Sequence, residues 1–257
     1  MKKGKTEILH EIFVDIIFTA QEKGVKFSKI QVIDSTHTDA DVNRFKDKQC
    51  QKPKKDGGEN KPPRDPGAQI GVKGVGAAGA TKGQIVQIPK YIYGYKNHLS
   101  VNSEYGLVAS LKVTGAGACD GHHFGELMDH DLKIGVAKSG ESIYTADKGY
   151  RDGENSAWLN QNKLGDAIFY MGMKKIKDAK VKFPMYKSQE EFQEGAEKRY
   201  VVERTDGCVR KRGWLGRAKY VGLLGMEIQS YLTAIVFNLK TLVKAVYGTS
   251  LRAGARF

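Results

Sequence analysis

Lys29-Ile30-Gln31-Val32-Ile33-Asp34 is a short apolar run that ends on a carboxylate, and Ser142-Ile143-Tyr144-Thr145-Ala146-Asp147, far downstream, has the same form. Short runs rich in β-branched and aromatic residues, bounded by polar positions, read as buried strands. Around them the chain alternates strand and helix signals. Residues 6–24 read as a helix, with Ile8, Ile12, Ile16 and Ile17 at helical spacing and Gly24 as its stop. Residues 91–101 and 107–114 flank the turn 102–106 as a hairpin-like pair. Residues 122–132 and 153–163 read as short helices, 166–170 as a short strand, and 189–212 as a charged helix. The last long segment, 221–246, places Leu224, Ile228, Leu232, Ile235, Leu239 and Val243 on one face. Strands come early and helices late, which predicts an α/β domain built on one mixed sheet.

The 257 residues suffice for a full hydrophobic core, and 40% apolar content argues against a disordered chain. The net charge of +13 is unevenly spread. Residues 44–90 carry 11 basic and 4 acidic groups, and residues 198–257 carry 12 and 3. The stretches 1–43 and 91–197 are close to neutral. Two basic blocks on a near-neutral body favour a polyanionic partner, with nucleic acid leading. Residues 44–90 also hold five of the six prolines and eight glycines, a composition that predicts a flexible basic insertion without a periodic apolar face.

Several classes are set aside. There is no apolar stretch long enough for a membrane span and no signal-peptide core. Cys50, Cys119 and Cys208 lie far apart, which excludes a disulfide framework and suits a reducing compartment. Gly74-Val75-Gly76-Ala77-Ala78-Gly79 matches G-x-G-x-x-G, but the next acidic residue is Glu104 and Pro and Lys precede the glycines. A flexible linker explains them better than a nucleotide site, so no nucleotide cofactor is expected. His122-His123 beside Asp120 invite a zinc reading; adjacent helical histidines diverge, though, and read as surface residues.

The carboxylates say more. Asp34 and Asp147 each follow an apolar strand, where a capping or turn role is the plain alternative. Glu203 lies in Val201-Val202-Glu203-Arg204 on a predicted helix, where an ion pair with Arg199 one turn earlier is the alternative. Brought together, three carboxylates form a hard oxygen site suited to Mg²⁺ or Mn²⁺. Such a pair of ions activates a water or a 3′-hydroxyl against a phosphodiester.

Beyond single residues, an ordered series of strings runs along nearly the whole chain. It comprises Val32-Ile33-Asp34-Ser35-Thr36, Gly94-Tyr95-Lys96-Asn97-His98-Leu99, Gly106-Leu107-Val108 with Val113-Thr114, and Ala146-Asp147-Lys148-Gly149-Tyr150. Val202-Glu203-Arg204, Gly216-Arg217-Ala218-Lys219-Tyr220-Val221-Gly222-Leu223 and Leu232-Thr233-Ala234-Ile235 through Asn238-Leu239-Lys240 complete it. The series resembles the DDE transposases of bacterial insertion sequences, in the insertion-sequence-five-like group. Arg199 and Glu203 sit at the spacing of that family's Tyr-x2-Arg-x3-Glu-x6-Lys signature, with Ala196 in place of the Tyr and Arg210 in place of the Lys. Cys119 precedes Asp120 where the family often has His-Asp, and Asp206 and Cys208 stand where an apolar or aromatic residue is expected.

The resemblance implies an RNase H-like core over 28–212, interrupted by the basic insertion at 44–90. A helix at 1–27 precedes the core as the remnant of a longer region, so the chain looks N-terminally short, and helical residues 213–257 cover it. Asp34, Asp147 and Glu203 are implied as catalytic and metal-holding residues with Mg²⁺ or Mn²⁺. Lys148, Arg199, Arg210 and Lys211 are expected phosphate contacts. The implied activity is hydrolysis and strand transfer at transposon ends, by a homo-oligomer on DNA at the nucleoid in the cytoplasm. The alternatives are a truncated DNA-binding remnant and an RNase H-like nuclease without strand transfer.

Overall fold

The computed structural model describes residues 3–43, 45–46, 62–81, 84–168, 189–211 and 215–248. Its centre is β1 (Ile30–Asp39), whose first four residues are all buried, as befits a strand covered on both faces. Antiparallel to β1 runs β3 (Gln84–Asn102), from Gln31 opposite Asn102 to Asp39 opposite Gly94. The other edge of β3 pairs with β2 (Gln69–Thr81) and with β4 (Val108–Gly115). On its far side β1 pairs in parallel with β5 (Ile143–Ala146), which in turn pairs with the two-residue β6 (Gly165–Asp166). The sheet order β2-β3-β1-β5-β6, with β4 beside β3, joins an antiparallel meander to parallel strands. This is the RNase H-like mixed α/β arrangement.

Alternation along β1 and β5 divides the core between two faces. Ile30, Val32 and Ile143 enter one apolar cluster with Leu99, Val201, Val202 and Met226. Ile33, Tyr144 and Ala146 enter another with Phe124, Leu127 and Leu159. The helices are distributed accordingly. α2 (Phe124–Lys133) and α3 (Gly153–Gln161) cover the second face. α1 (Lys3–Glu22), α4 (Gln189–Lys198), α5 (Tyr200–Lys211) and α6 (Leu223–Tyr247) contribute to the first. None of these helices is long and apolar enough to cross a membrane.

Several elements depart from the sequence reading, among them the strand predicted at 166–170, which is the two-residue β6 (Gly165–Asp166). In α1 the buried line is Phe13, Ile16, Ile17 and Ala20, while Ile8 and Ile12 are exposed. The predicted charged helix at 189–212 is two helices, α4 and α5, separated at Arg199. In α6 the buried face carries Gln229, Ser230, Thr233 and Asn238 among Met226, Ala234, Ile235 and Leu242, whereas Leu239 is exposed. These polar groups are buried because they are satisfied. Asn238 Nδ2 donates to the Val108 carbonyl (2.7 Å) while its Oδ1 accepts from the Val108 N–H (2.9 Å). Ser230 Oγ donates to Asn97 Oδ1 at 2.5 Å.

Residues 69–81 and 84–90, within the predicted insertion, are not a structureless linker but belong to the paired strands β2 and β3, and the glycines 74–79 fall inside β2 rather than between a strand and a helix. Composition misses such a ribbon because its cohesion comes from the backbone ladder, not from a side-chain period. The register shifts between Val72 and Val75, beside Pro89, which has no N–H to donate. Gly71 is required where β2 passes the end of β4: a Cβ there would collide with the Ala116 carbonyl. Residues 44, 47–61, 82 and 83, also within the predicted insertion, lie outside the described residues.

Asp65 ties this segment down. It is buried, and its Oδ1 accepts from Tyr95 OH (2.5 Å), Gly222 N (3.1 Å) and Gly67 N (3.2 Å). Asp65→Ala therefore lowers stability by about 1–3 kcal/mol, since it orphans a buried tyrosine hydroxyl and two backbone donors. Chemical denaturation of the variant checks this, and an unchanged midpoint would contradict the anchoring role.

Candidate active site

Parallel pairing of β1 with β5 ends at Ile33 opposite Ala146, so Asp34 and Asp147 are the next residues in register. Alternation turns both toward the face that holds α4 and α5. Asp34 lies within β1 rather than at its end, because Ser35 to Asp39 continue the ladder with β3. Each carboxylate is fixed by its own following amide: Ser35 N donates to Asp34 Oδ1 (2.8 Å) and Lys148 N to Asp147 Oδ1 (2.6 Å). The second contact caps the 3₁₀ turn Lys148–Tyr150. α5 packs on the sheet through Val201, Val202, Thr205 and Val209, all buried. That packing brings Glu203 to the same groove, an open space of about 730 Å³.

Asp34, Asp147 and Glu203 thus line one groove, together with Asp120, Asp206 and Arg210. Arg199 spans two of the predicted triad: its guanidinium lies 3.8 Å from Asp147 Oδ1 and 3.9 Å from Glu203 Oε1. Of the other predicted phosphate contacts, Lys148 is exposed immediately after Asp147. Lys211 is the last residue of α5, and its side chain lies outside the described set. Burial pushes the Asp34 carboxyl up to about 6, opposed by the Ser35 amide and by Arg199 and reinforced by Asp147 and Asp120. Burial also holds Asp206 well above the ordinary carboxylate range, reinforced by Asp34 and Glu203 and eased by Arg210.

Among the described residues, no three His, Cys, Asp or Glu side chains stand close enough to close a metal site as they are. The donor chemistry nonetheless suits a hard cation. Every acidic group in the groove offers oxygen, and Asp206 Oδ1 is shielded from solvent without a hydrogen-bond partner. The residues fit a small divalent ion.

Two carboxylates, Asp120 and Asp206, were not among the sequence candidates. Asp120 is held by Lys96, whose Nζ lies 2.9 Å from Asp120 Oδ1 and donates to the Ala118 carbonyl at 2.8 Å. Its signal was the string around residues 94–99, whose polar side chains all turn inward. Tyr95 bonds Asp65, Lys96 pairs with Asp120, and Asn97 Nδ2 donates to Thr38 Oγ1 (2.9 Å). His98 Nε2 pairs with Thr114 Oγ1 at 2.9 Å. Of the adjacent histidines, His122 is exposed, as the surface reading expected, while His123 is not. His123 is half-buried with its ring 4.7 Å from that of the buried His98; burial holds His98 well below the ordinary histidine value and lowers His123 as well.

A mixed sheet of this order, with carboxylates gathered where the parallel pairing of its two central strands ends, defines an RNase H-like domain with an acidic groove. Residues 26–239 match the family model described as Transposase DDE domain, and the chain belongs to that family. It is also 32% identical over 151 residues to the transposase for insertion sequence element IS1106 of Neisseria meningitidis serogroup B. That match covers 58% of this chain and 47% of the relative, so the chain spans about half the length of the curated relative it matches. No solved structure matches the chain. The family is generally dependent on divalent metal.

Proposed function

We propose that this chain is a DNA transposase that hydrolyses phosphodiesters at transposon ends and transfers the freed strand to target DNA. The observation that carries the reading is that Asp34, Asp147 and Glu203, from three separate elements, line one groove of a Transposase DDE chain. These three carboxylates would hold Mg²⁺ or Mn²⁺. When bound, such ions supply Lewis-acid activation of the attacking oxygen and charge relief for the leaving one. The chain's own part is positioning. The Ser35 and Lys148 amides orient the two aspartates, and α5 carries Glu203 toward them. Arg199, Lys148, Arg210 and Lys211 meet the phosphates flanking the scissile bond. Handling two ends at once calls for two copies of the site, so a homo-oligomer on DNA at the nucleoid belongs to the same reading.

A strand-transfer assay with a pre-cleaved end tests it. Joined product with Mg²⁺ or Mn²⁺ supports the transposase. Cleavage without joining would make the protein a nuclease, and retention of DNA without either would make it a binder. The cationic rim has its own test: Arg210→Gln lowers the slope of log K against log salt by about 0.9 on duplex DNA, one phosphate contact. Binding titrations over a salt series read this directly, and an unchanged slope would remove Arg210 from the interface.

A further inference from the structure

Four of the groove's carboxylates fall into two unlike pairs. Asp147 and Glu203 form the outer pair, with side chains 46% and 63% exposed and Arg199 between them. Asp34 and Asp206 form the inner pair, both half-buried. Asp206 follows Glu203 by three positions on α5, so the helix turns two carboxylates toward the groove from neighbouring turns. The two are not equivalent. Glu203 has a cation beside it, whereas Asp206 Oδ1 is cut off from solvent and accepts no hydrogen bond. Arg210, one turn on, leaves its Nε without a partner too, so the neighbouring cation does not satisfy that oxygen. A buried acceptor left in this state calls for a partner, and in a groove lined by carboxylates a cation is the partner that fits it.

We propose that Asp206 is a metal-ligating carboxylate, forming with Asp34 the inner half of a divalent-cation site whose outer half is Asp147 and Glu203. This rests on the reading of the groove as a cation-dependent centre and adds a ligand beyond the three assigned above. Small hard cations prefer carboxylate oxygens and accept few from the protein, so two carboxylates per ion are a sufficient protein share. The shorter aspartate suits the inner position, and the longer glutamate suits the exposed one.

The test is calorimetric titration of the metal-free full chain with Mn²⁺, read beside its thermal melt. Asp206→Asn weakens Mn²⁺ binding by about tenfold or more, and Asp206→Glu, which keeps the carboxylate, stays within about threefold of wild type. Without metal, both melt no lower than wild type. Mn²⁺ binding by Asp206→Asn within about twofold of wild type would overturn the assignment and leave Asp206 a structural acid. If Asp206→Asn loses its cooperative melt, Asp206→Ser carries the same comparison. Loss of binding in Asp147→Asn but not in Asp206→Asn would sink this inference alone. Failure of the wild-type protein to bind Mn²⁺ would instead bring down the cation-dependent reading of the groove as well.

Discussion

Asp147→Asn lowers cleavage and joining at transposon ends by about 10³-fold or more, while affinity for the same DNA stays level or rises. Asp147 directly follows β5, whose register sets it beside Asp34, and it lines the groove. The amide keeps the size and the capping contact to Lys148 N but removes the anionic oxygen that a divalent ion requires. A bound metal contributes several kcal/mol to the transition state of phosphoryl transfer. Losing about 4 kcal/mol of that corresponds to three powers of ten in rate. DNA binding follows the opposite course, because one negative charge facing the phosphates has gone. Gel-based cleavage and binding assays on one preparation separate the two effects. Full cleavage by the variant would take Asp147 out of the mechanism.

Arg151→Ala has the largest expected effect on the fold itself. Arg151 leaves the turn that follows Asp147 and reaches back under it. Its Nη1 contacts Asp166 and Ser156 Oγ (3.0 Å), and its Nη2 donates to Asp166 Oδ1 (2.9 Å) and to the Ile168 carbonyl (2.6 Å). Both side chains are nearly inaccessible, at 10% and 6% exposure. Removing one member of a buried ion pair leaves an uncompensated charge and costs about 3–5 kcal/mol. For a domain of this size that lowers Tm on the order of 10 °C. Arg151→Lys recovers little of the loss, because one ammonium cannot replace the planar fork that holds two oxygens and a carbonyl together. Differential scanning calorimetry checks both variants. Melting of Arg151→Ala within about 2 °C of wild type would contradict the role given to this pair.

What was legible in the sequence was what side-chain patterning controls. A parallel strand covered on both faces is a short apolar run, so β1 and β5 stood out, and Asp34 and Asp147 with them. The pairing of β2 with β3 was not legible, since the glycine-rich β2 announces no face in its sequence and pairs through the backbone ladder. The polar side of α6 was hidden for a related reason. Hydropathy treats Asn238 and Ser230 as solvent-seeking, yet their partners, Val108 and Asn97, lie far away in sequence. Asp206 depended on the roll of α5 about its axis, which Val202, Thr205 and Val209 set only once packed. Its place as an acid in an apolar position was visible; its direction was not.

The central claim is that Asp34, Asp147 and Glu203 converge to hold the ions of a DNA-cleaving centre. Anomalous scattering from crystals grown with Mn²⁺ tests it most directly. The account predicts a peak within about 2.2 Å of carboxylate oxygens from both Asp34 and Asp147, the distance of a small hard cation. A Mn²⁺ peak elsewhere on the molecule, with this groove empty, would contradict it.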